Sequence, residues 1–444
     1  MNRIALCFLL IAACLGAAAQ DQTTIVISGT SKYRLAVPNF NGAAAAPSDV
    51  QRTFNEVLWN DLFQSAVVTM VGRSLYTAPT PGSEAEINNP ATRTAWAAAP
   101  NSIQRLVFGN LQANNGSLLV DAYLYDVTQP AGQGRLMGKR YADPATAAGA
   151  RAIAHQVAND VVQALGFGPG IATSQIAFIS NRSGSQEVWT MDYDGANQQQ
   201  RTHLHSIAYS PRISPDGQTL AFMSSASGSP QIRLLSLLSN KLLPFPKFKG
   251  NLTESPAWSP DGKKLAFASN MDGSNVEIYT INANGTGLRR LTVSRGVAID
   301  NLSPAWNPKG STIAFVSNRL GQPQIFVMGD DGSNPKRVSQ GGYAVSPSWS
   351  PNGLLLAYAW VRSGGENDGA FDVYYLNLAT QQYQQMTHNG ERNDFPSWAP
   401  DNRHLVFQSG PSYHTQLFTV AADGSAPAQL TTQGNNEMPN WSWH

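Results

Sequence analysis

The stretch that decides the fold is Pro256-Ala257-Trp258-Ser259-Pro260-Asp261-Gly262-Lys263-Lys264-Leu265-Ala266-Phe267. Its closing triplet occurs in six variants after residue 174, each with an aliphatic residue first and an aromatic residue last. The six copies are Ile176-Ala177-Phe178, Leu220-Ala221-Phe222, Leu265-Ala266-Phe267, Ile313-Ala314-Phe315, Leu356-Ala357-Tyr358 and Leu405-Val406-Phe407. Their first residues lie 44, 45, 48, 43 and 49 positions apart, and this period is typical of the blades of a β-propeller.

A turn motif precedes every triplet except the first. It reads Ser-Pro-Asp-Gly at 214–217 and 259–262, with variants at 307–310, 350–353 and 399–402. Proline presets φ at the second position of such a turn, and glycine accepts a positive φ at the fourth. In four copies a short strand ending in tryptophan leads into the turn, whereas the second repeat has Ile213 at that place. Two more apolar strands follow each triplet, and four strands per repeat are the unit of a blade.

The first repeat lacks its opening strand, and the chain ends with a spare one, Pro439-Asn440-Trp441-Ser442. We predict that this last strand completes the first blade, because a closed ring leaves no open sheet edge. The predicted fold class is therefore mainly β, a six-bladed β-propeller over residues 169–444 that is closed by its C-terminal strand.

Residues 20–168 do not repeat and predict a small α/β domain. Their patterns predict strands at 23–28, 33–40, 66–71 and 135–141, and a hairpin of 105–112 with 117–126. They also predict a helix that begins after Pro47 with Ser48 as N-cap, and a second helix over about 145–165.

The N-terminus has the features of a signal peptide over residues 1–19. Arg3 provides the positive start, an apolar run follows over 4–15, and Ala17-Ala18-Ala19 fits the cleavage site. An alternative is that Ile11-Ala12-Ala13-Cys14 acts as a lipobox, in which case Cys14 is acylated and anchors the chain. Under the first interpretation the exported chain contains no cysteine, since Cys7 and Cys14 are the only two.

Composition and motifs point away from several function classes. The formal net charge is +1, which lacks the basic footprint that nucleic-acid binding requires. The sequence contains no nucleophile elbow, phosphate-binding loop or His-Glu-x-x-His motif, so we assign no catalytic residue and expect neither a cofactor nor a metal. His203 and His205 would face one side of a strand, but no third ligand follows nearby.

The loops that join one blade to the next are the best candidates for a binding surface. A closed ring gathers them at one end of the propeller, and rigid scaffolds present functional residues on such loops. We predict ten partner contacts there, namely His205, Tyr209, Glu254, Asp300, Asn301, Tyr343, Arg392, Asn393, Asp394 and Glu437.

With these repeats, the α/β segment and Glu187-Val188-Trp189-Thr190-Met191-Asp192-Tyr193-Asp194-Gly195-Ala196-Asn197 of the first blade, nearly the whole chain resembles the TolB family of the periplasmic Tol-Pal system. That resemblance implies a role in outer-membrane integrity and cell division. It implies that the propeller face binds the peptidoglycan-associated lipoprotein Pal, and that the mature N-terminus binds the inner-membrane protein TolA. We expect a periplasmic monomer with no transmembrane segment in its mature chain.

In this sequence the TolA-binding segment would be residues 20–29. Its candidate contacts are Asp21, Thr24, Ile25, Val26, Ile27 and Gly29, and its β-branched residues suit strand addition to a partner's sheet. The segment could equally form an internal edge strand. For the whole chain, a second hypothesis is a propeller enzyme or a carbohydrate-binding protein, such as a lyase or an orphan peptidase propeller, with a polar pocket on the axis.

Overall fold

The computed structural model describes residues 32–40, 42, 47–100, 102–295, 298–361, 371–425 and 427–443, which form two packed parts. The first part combines strands and helices. Its strands are Tyr33–Ala36 (β1), Val68–Met70 (β2), Arg105–Asn114 (β3), Ser117–Asp126 (β4) and Arg135–Pro144 (β5). Its helices are Ser48–Gln64 (α1), Glu84–Ile87 (α2), Pro90–Ala97 (α3) and Ala147–Ala164 (α4), with a short 3-10 turn at Arg73–Leu75.

The five strands form one sheet in the order β2-β1-β3-β4-β5, with helices on both faces. Alternation along β3 produces this sandwich, because successive side chains of a strand point to opposite faces. Val107 packs into the core shared with α1 and α4. Its neighbours Leu106 and Phe108 pack with Ile87 of α2 and Trp96 of α3.

Several predicted bounds in this part need correction. Helix α1 begins at Ser48 itself and its N-cap is Pro47, whose side chain makes no capping hydrogen bond. The strand predicted over 66–71 shrinks to Val68–Met70, because Ala66 adopts a left-handed φ of 58° that interrupts an extended backbone. Helices α2 and α3 were not predicted, since each is too short to show helical periodicity. The strand predicted at 23–28 lies outside the described residues.

The second part is the predicted propeller, and the described strands form six four-stranded sheets. Blade 1 contains Gln175–Ser180 (β6), Glu187–Asp192 (β7), Gln199–Gln200 (β8) and the last strand, Asn436–Trp441 (β29). Blade 2 contains Ala208–Ile213 (β9), Thr219–Ser224 (β10), Gln231–Ser236 (β11) and Lys241–Leu243 (β12). Blade 3 contains Thr253–Trp258 (β13), Lys264–Ser269 (β14), Glu277–Asn282 (β15) and Arg289–Arg290 (β16).

The remaining three blades repeat the same order. Blade 4 contains Asn301–Trp306 (β17), Thr312–Ser317 (β18), Gln324–Gly329 (β19) and Lys336–Arg337 (β20). Blade 5 contains Tyr343–Trp349 (β21), Leu355–Val361 (β22), Asp372–Asn377 (β23) and Gln382–Gln385 (β24). Blade 6 contains Asn393–Trp398 (β25), His404–Ser409 (β26), Gln416–Ala421 (β27) and Ala428–Gln429 (β28). The predicted fold class is confirmed.

The ring closes as the repeat count predicts. Strand β29 pairs antiparallel with β6, and Trp441 lies opposite Ile176. The Trp441 side chain is 1% exposed, and its Nε1–H donates to Ser174 Oγ at 2.7 Å. The C-terminal strand therefore supplies the inner strand of blade 1.

Each inner strand contains a β-bulge that the sequence analysis missed. The register breaks on β9, β13, β17, β21, β25 and β29. At each break a residue directly before a proline has a left-handed φ between 47° and 54°, and these residues are Ser210, Ser255, Ser303, Ser346, Phe395 and Met438. Residues before proline ordinarily prefer an extended backbone, so the left-handed conformation runs against the local preference at all six positions. Bulges redirect side chains, and all of these residues except Met438 line the central channel.

The α/β part packs against blades 1 and 6 through one continuous apolar core. A buried polar group lies within this junction. Asp61 Oδ2 is 2.7 Å from His155 Nδ1, and Asp61 Oδ1 accepts a hydrogen bond from the Tyr193 hydroxyl at 2.7 Å. Burial raises the pKa of Asp61, opposed by these two hydrogen bonds. Beside it, Arg151 Nη2 donates to Asp194 Oδ1 at 2.5 Å.

Candidate partner-binding face

The two ends of the propeller carry different connections. Antiparallel strands place the first and third turns of every blade at one end, and the second turn with the loop to the next blade at the other end. We call the latter end the loop face, and its inter-blade loops are residues 201–207, 244–252, 291–300, 338–342, 386–392 and 430–435. Tyr193 and Asp194 lie in a third turn, so the described α/β part packs against the end opposite the loop face.

Buried carboxylates hold these loops in place. Glu187 accepts from the Thr202 hydroxyl at 2.5 Å and from the His205 backbone N–H at 2.7 Å. Glu277 repeats the arrangement with the Thr292 hydroxyl at 2.5 Å. Ser339 donates to Gln324, and Thr387 to Asp372, in the corresponding places. An acid or amide followed 15 residues later by Ser or Thr is the signal in the sequence that would have revealed this anchoring.

One cluster of predicted contacts lies between blades 5 and 6. The Arg392 guanidinium lies over the Phe371 ring, 4.5 Å from its centroid. Tyr343 meets the same ring edge-on at 5.6 Å. A cation held over an aromatic ring is fixed in place yet remains half-exposed at its edge. Tyr343 and Arg392 are thus brought together on the loop face.

The other accessible predicted contacts are spread around the ring. His205 is exposed, whereas Tyr209, Glu254, Asp300 and Glu437 are half-buried. Asp300 Oδ1 accepts from the Val276 backbone N–H at 2.8 Å. Burial raises the pKa of Glu254 and of Glu437, and for Glu437 a hydrogen bond from Asn435 at 2.6 Å opposes this shift.

Three predicted contacts are buried instead. Asn301 and Asn393 are 0% exposed and Asp394 is 3% exposed. Asn301 Nδ2 donates to Glu277 at 2.8 Å, and Asn393 Nδ2 donates to the Asn389 carbonyl oxygen Oδ1 at 2.7 Å. Burial raises the pKa of Asp394. Since these side chains face the interior, we correct their assignment from partner contacts to supports of the loops.

Two other predictions concern the N-terminus and the histidine pair. Asp21, Thr24, Ile25, Val26, Ile27 and Gly29 lie outside the described residues. His203 and His205 lie in a loop with no strand, and His205 has a φ of 49°, so the geometry that would place both rings on one face of a strand does not apply. Across the described ranges, no three His, Cys, Asp or Glu side chains are grouped to hold a metal ion, and no helix is long and apolar enough to cross a bilayer.

Comparison with known proteins agrees with this architecture. Residues 163–444 match the model of the TolB beta propeller domain, and residues 22–133 match that of the TolB amino-terminal domain. The chain belongs to the TolB family. The Tol-Pal system protein TolB of Bordetella pertussis is 30% identical over 95% of this chain and 91% of that protein. A TolB homolog of Chlorobium chlorochromatii is 36% identical, but over 43% of this chain and 41% of that protein.

A solved structure supports the TolB fold as a whole. The crystal structure of TolB from Acinetobacter baumannii superposes with a TM-score of 0.77, covering 93% of this chain and 97% of that chain at 24% identity. Because this match includes the α/β part as well as the propeller, the two-part architecture is that of TolB proteins. The family membership supports a role in the Tol-Pal system.

Proposed function

We propose that this TolB-family chain is a non-catalytic periplasmic adaptor of the Tol-Pal system. In this proposal the loop face binds a Pal-like lipoprotein, the mature N-terminal segment binds a TolA-like protein, and the monomer supports outer-membrane integrity and cell division. The observation that carries the proposal is the loop face itself. Its loops are anchored by buried carboxylates, while the α/β part packs on the opposite end.

The proposal includes the processing of the chain. A signal peptide over residues 1–19 directs export, residues 20–168 form the α/β domain and residues 169–444 form the propeller. Cleavage after Ala19 frees the segment that contains Thr24, Ile25, Val26 and Ile27. Acylation of Cys14 is the competing outcome, and the intact mass of the exported protein distinguishes the two.

The enzyme hypothesis finds little support on the propeller axis. The described residues that line the channel include no His, Asp, Glu, Lys, Tyr or Cys. General acid–base chemistry draws chiefly on these side chains, and the serines that line the channel would need one of them as an adjacent base to act as nucleophiles. Four channel tryptophans, Trp258, Trp306, Trp349 and Trp398, are 2–8% exposed and offer little ring surface for stacking a sugar, whereas Trp443 is half-buried.

The loop-face proposal predicts which substitutions weaken binding of a purified Pal-like soluble domain. Truncating a residue at the centre of an interface commonly costs more than about 1 kcal/mol. We therefore expect His205→Ala and Arg392→Ala each to weaken the affinity roughly five- to tenfold. Lys263→Ala is the matched control, because its side chain is 82% exposed on the opposite end. Unchanged affinity in both loop-face variants, with the fold intact by circular dichroism, would refute the proposal.

The N-terminal proposal is tested separately with a purified TolA-like domain. Deletion of residues 20–29 is expected to abolish that binding while the affinity for the Pal-like domain stays within twofold of wild type. His205→Ala should give the reverse pattern. A TolA-like domain that binds the deleted chain as tightly as the full mature chain would reject this segment as the contact.

A further inference from the structure

The central channel has an unusual lining. The six inner strands enclose about 930 Å³ of space that is open to solvent. Serine, proline, alanine and tryptophan make up most of the described lining, and Arg212 is its one charged residue. The described lining contains no acidic residue, so it offers the Arg212 cation no carboxylate as an ion-pair partner.

Arg212 has room because its five equivalents are smaller. On every inner strand the corresponding residue pairs with the middle residue of the apolar triplet. The equivalents are Ala257, Ala305, Ser348, Ser397 and Asn440, and all of them line the channel.

The Arg212 guanidinium lacks a counter-ion. Its Nη1–H donates to the Pro211 carbonyl oxygen at 2.8 Å. Among the described residues, no carboxylate lies within ion-pair distance of it. Burial lowers the pKa of Arg212 to about 10, so the group is still a cation at neutral pH. Arg212 is only partly exposed in the channel, so leaving its cation without a partner is costly, and an anion would relieve that cost.

The equivalents on blades 1, 6 and 5 carry hydrogen-bond donors along the same channel. Asn440 Oδ1 accepts from the Ile213 backbone N–H at 2.8 Å, which leaves Nδ2 as a donor. Ser397 Oγ accepts from the Trp441 N–H at 3.0 Å and Ser348 Oγ from the Trp398 N–H at 3.4 Å. Since a hydroxyl also carries one donor hydrogen, each of these serines can still donate.

We propose that the channel at Arg212 is a binding site for a carboxylate. The planar guanidinium matches a carboxylate in a two-pronged hydrogen bond, and Asn440 on the adjacent blade 1 provides a further donor. The ligand is a free small carboxylic acid, because Arg212 is the next-to-last residue of β9 and so lies toward the first turn, away from the loop face. This site does not depend on the proposed loop-face contacts.

The test is a titration of the mature chain with sodium acetate, which replaces sodium chloride at constant ionic strength. Tryptophan fluorescence reports the channel, because Trp258 Nε1–H donates to the Arg212 carbonyl oxygen at 3.0 Å. Saturation-transfer NMR of the acetate methyl group is a second measurement that does not rely on tryptophan. We expect saturable binding that weakens roughly tenfold or more in Arg212→Gln, a change equivalent to about 1.4 kcal/mol.

Two further variants keep the test sharp. Arg233→Gln is the matched control, since Arg233 lies on β11 of the same blade and does not line the channel. Arg212→Lys keeps the positive charge but loses the planar pair of donors that a guanidinium presents to a carboxylate. We expect this variant to bind acetate more weakly than wild type. It keeps the proposal testable if Arg212→Gln does not fold. Absence of saturable binding to wild type, or unchanged affinity in a folded Arg212 variant, would overturn the site.

A competition measurement then tests the source of the carboxylate. We expect acetate and the Pal-like domain to bind independently, as a free small acid requires. If saturating acetate instead lowers the affinity for the Pal-like domain, an acidic side chain of that partner occupies the site and the free acid is rejected. Both results require acetate binding to be observed first, so failure of this site and failure of the loop-face proposal remain distinguishable.

Discussion

At the scale of single residues, Glu254 shows how the loop face departs from optimal stability. Its carboxylate is half-buried on β13, and within the described chain it has no hydrogen-bond or ion-pair partner. Burial alone raises its pKa. A carboxyl whose folded pKa is raised contributes stability at pH values below its unfolded pKa and loses it as the pH rises through the folded pKa. At neutral pH, above the ordinary pKa of a glutamate, the burial of Glu254 therefore destabilises the fold.

We predict that Glu254→Gln stabilises the protein at pH 7 by roughly 0.5–1 kcal/mol, because the amide carries no charge to desolvate but still lacks a partner. The gain should shrink at pH 4, where Glu254 is protonated in the folded chain. Urea unfolding at both pH values measures this difference. Glu391→Gln is the control, since Glu391 is exposed and should change little at either pH. An equal effect of Glu254→Gln at the two pH values would contradict the assignment.

Residue-level prediction from sequence succeeded where a local cause exists. The turn motif predicted a positive φ at its fourth position, and Gly262 has 67° while Asn402, which replaces glycine, has 58°. Accessibility was different. Asn301 and Asn393 read as polar loop residues, yet both are 0% exposed, because each is enclosed by polar partners such as Glu277 for Asn301 and Asp372 for Asn393 that the local sequence does not reveal.

At the scale of elements, β29 is the strand on which the ring depends. It joins the last residues of the propeller sequence to the first ones. Strand β29 pairs with β6, and the Asn436 side chain also accepts a hydrogen bond from Arg182 Nη2 at 2.7 Å. Without β29, the inner edge of β6 would be an unpaired strand edge, which is prone to aggregation.

A chain that ends at Asn435 is therefore expected to lose the soluble monomer. Removing a buried tryptophan side chain alone costs about 3–5 kcal/mol, a large fraction of the roughly 5–15 kcal/mol that stabilises a typical domain. Size-exclusion chromatography and circular dichroism test this. The control is a chain that ends at Ser442, which keeps β29 complete. Monomeric elution and an unchanged melting temperature for the shorter chain would show that closure is dispensable.

Elements with a strong repeat were predictable and isolated short ones were not. Six apolar triplets gave the second strand of every blade, and the spare Trp441 segment gave the closure. The bulges on the inner strands escaped prediction because serine before proline indicates an extended residue. The left-handed conformation of Ser210 and its equivalents recurs at the same place on all six inner strands, a regularity that no single turn or strand pattern in the sequence predicts.

At the scale of the whole molecule, the α/β part and the propeller share one core. Apolar residues of α4, such as Val157 and Val161, belong to the same buried cluster as Ile176 and Trp441 of blade 1. The sequence predicted both parts but not this junction. Asp61 lies 94 positions before His155 and 132 positions before Tyr193, so no local pattern connects the three residues. We infer that the two parts unfold together.

The junction gives this inference a direct test. In the wild-type protein, far-UV circular dichroism of the helices and tryptophan fluorescence should report the same unfolding midpoint, since eight of the ten tryptophans lie in the propeller. Asp61→Asn leaves a buried hydrogen-bond donor badly paired, at a cost of about 3 kcal/mol, and should separate the two midpoints.

Tyr193→Phe removes the hydrogen bond from the propeller side and should separate the midpoints in the same direction, by a smaller amount of about 1 kcal/mol. Asp121→Asn is the matched control, because Asp121 pairs with the exposed Arg140 on the outer part of the sheet, away from the junction. Separation in both junction variants but not in the control assigns the coupling to the Asp61 group, since the two substitutions lie in different parts of the chain. Coincident midpoints in Asp61→Asn and Tyr193→Phe would instead mean that the apolar core alone couples the α/β part to the propeller.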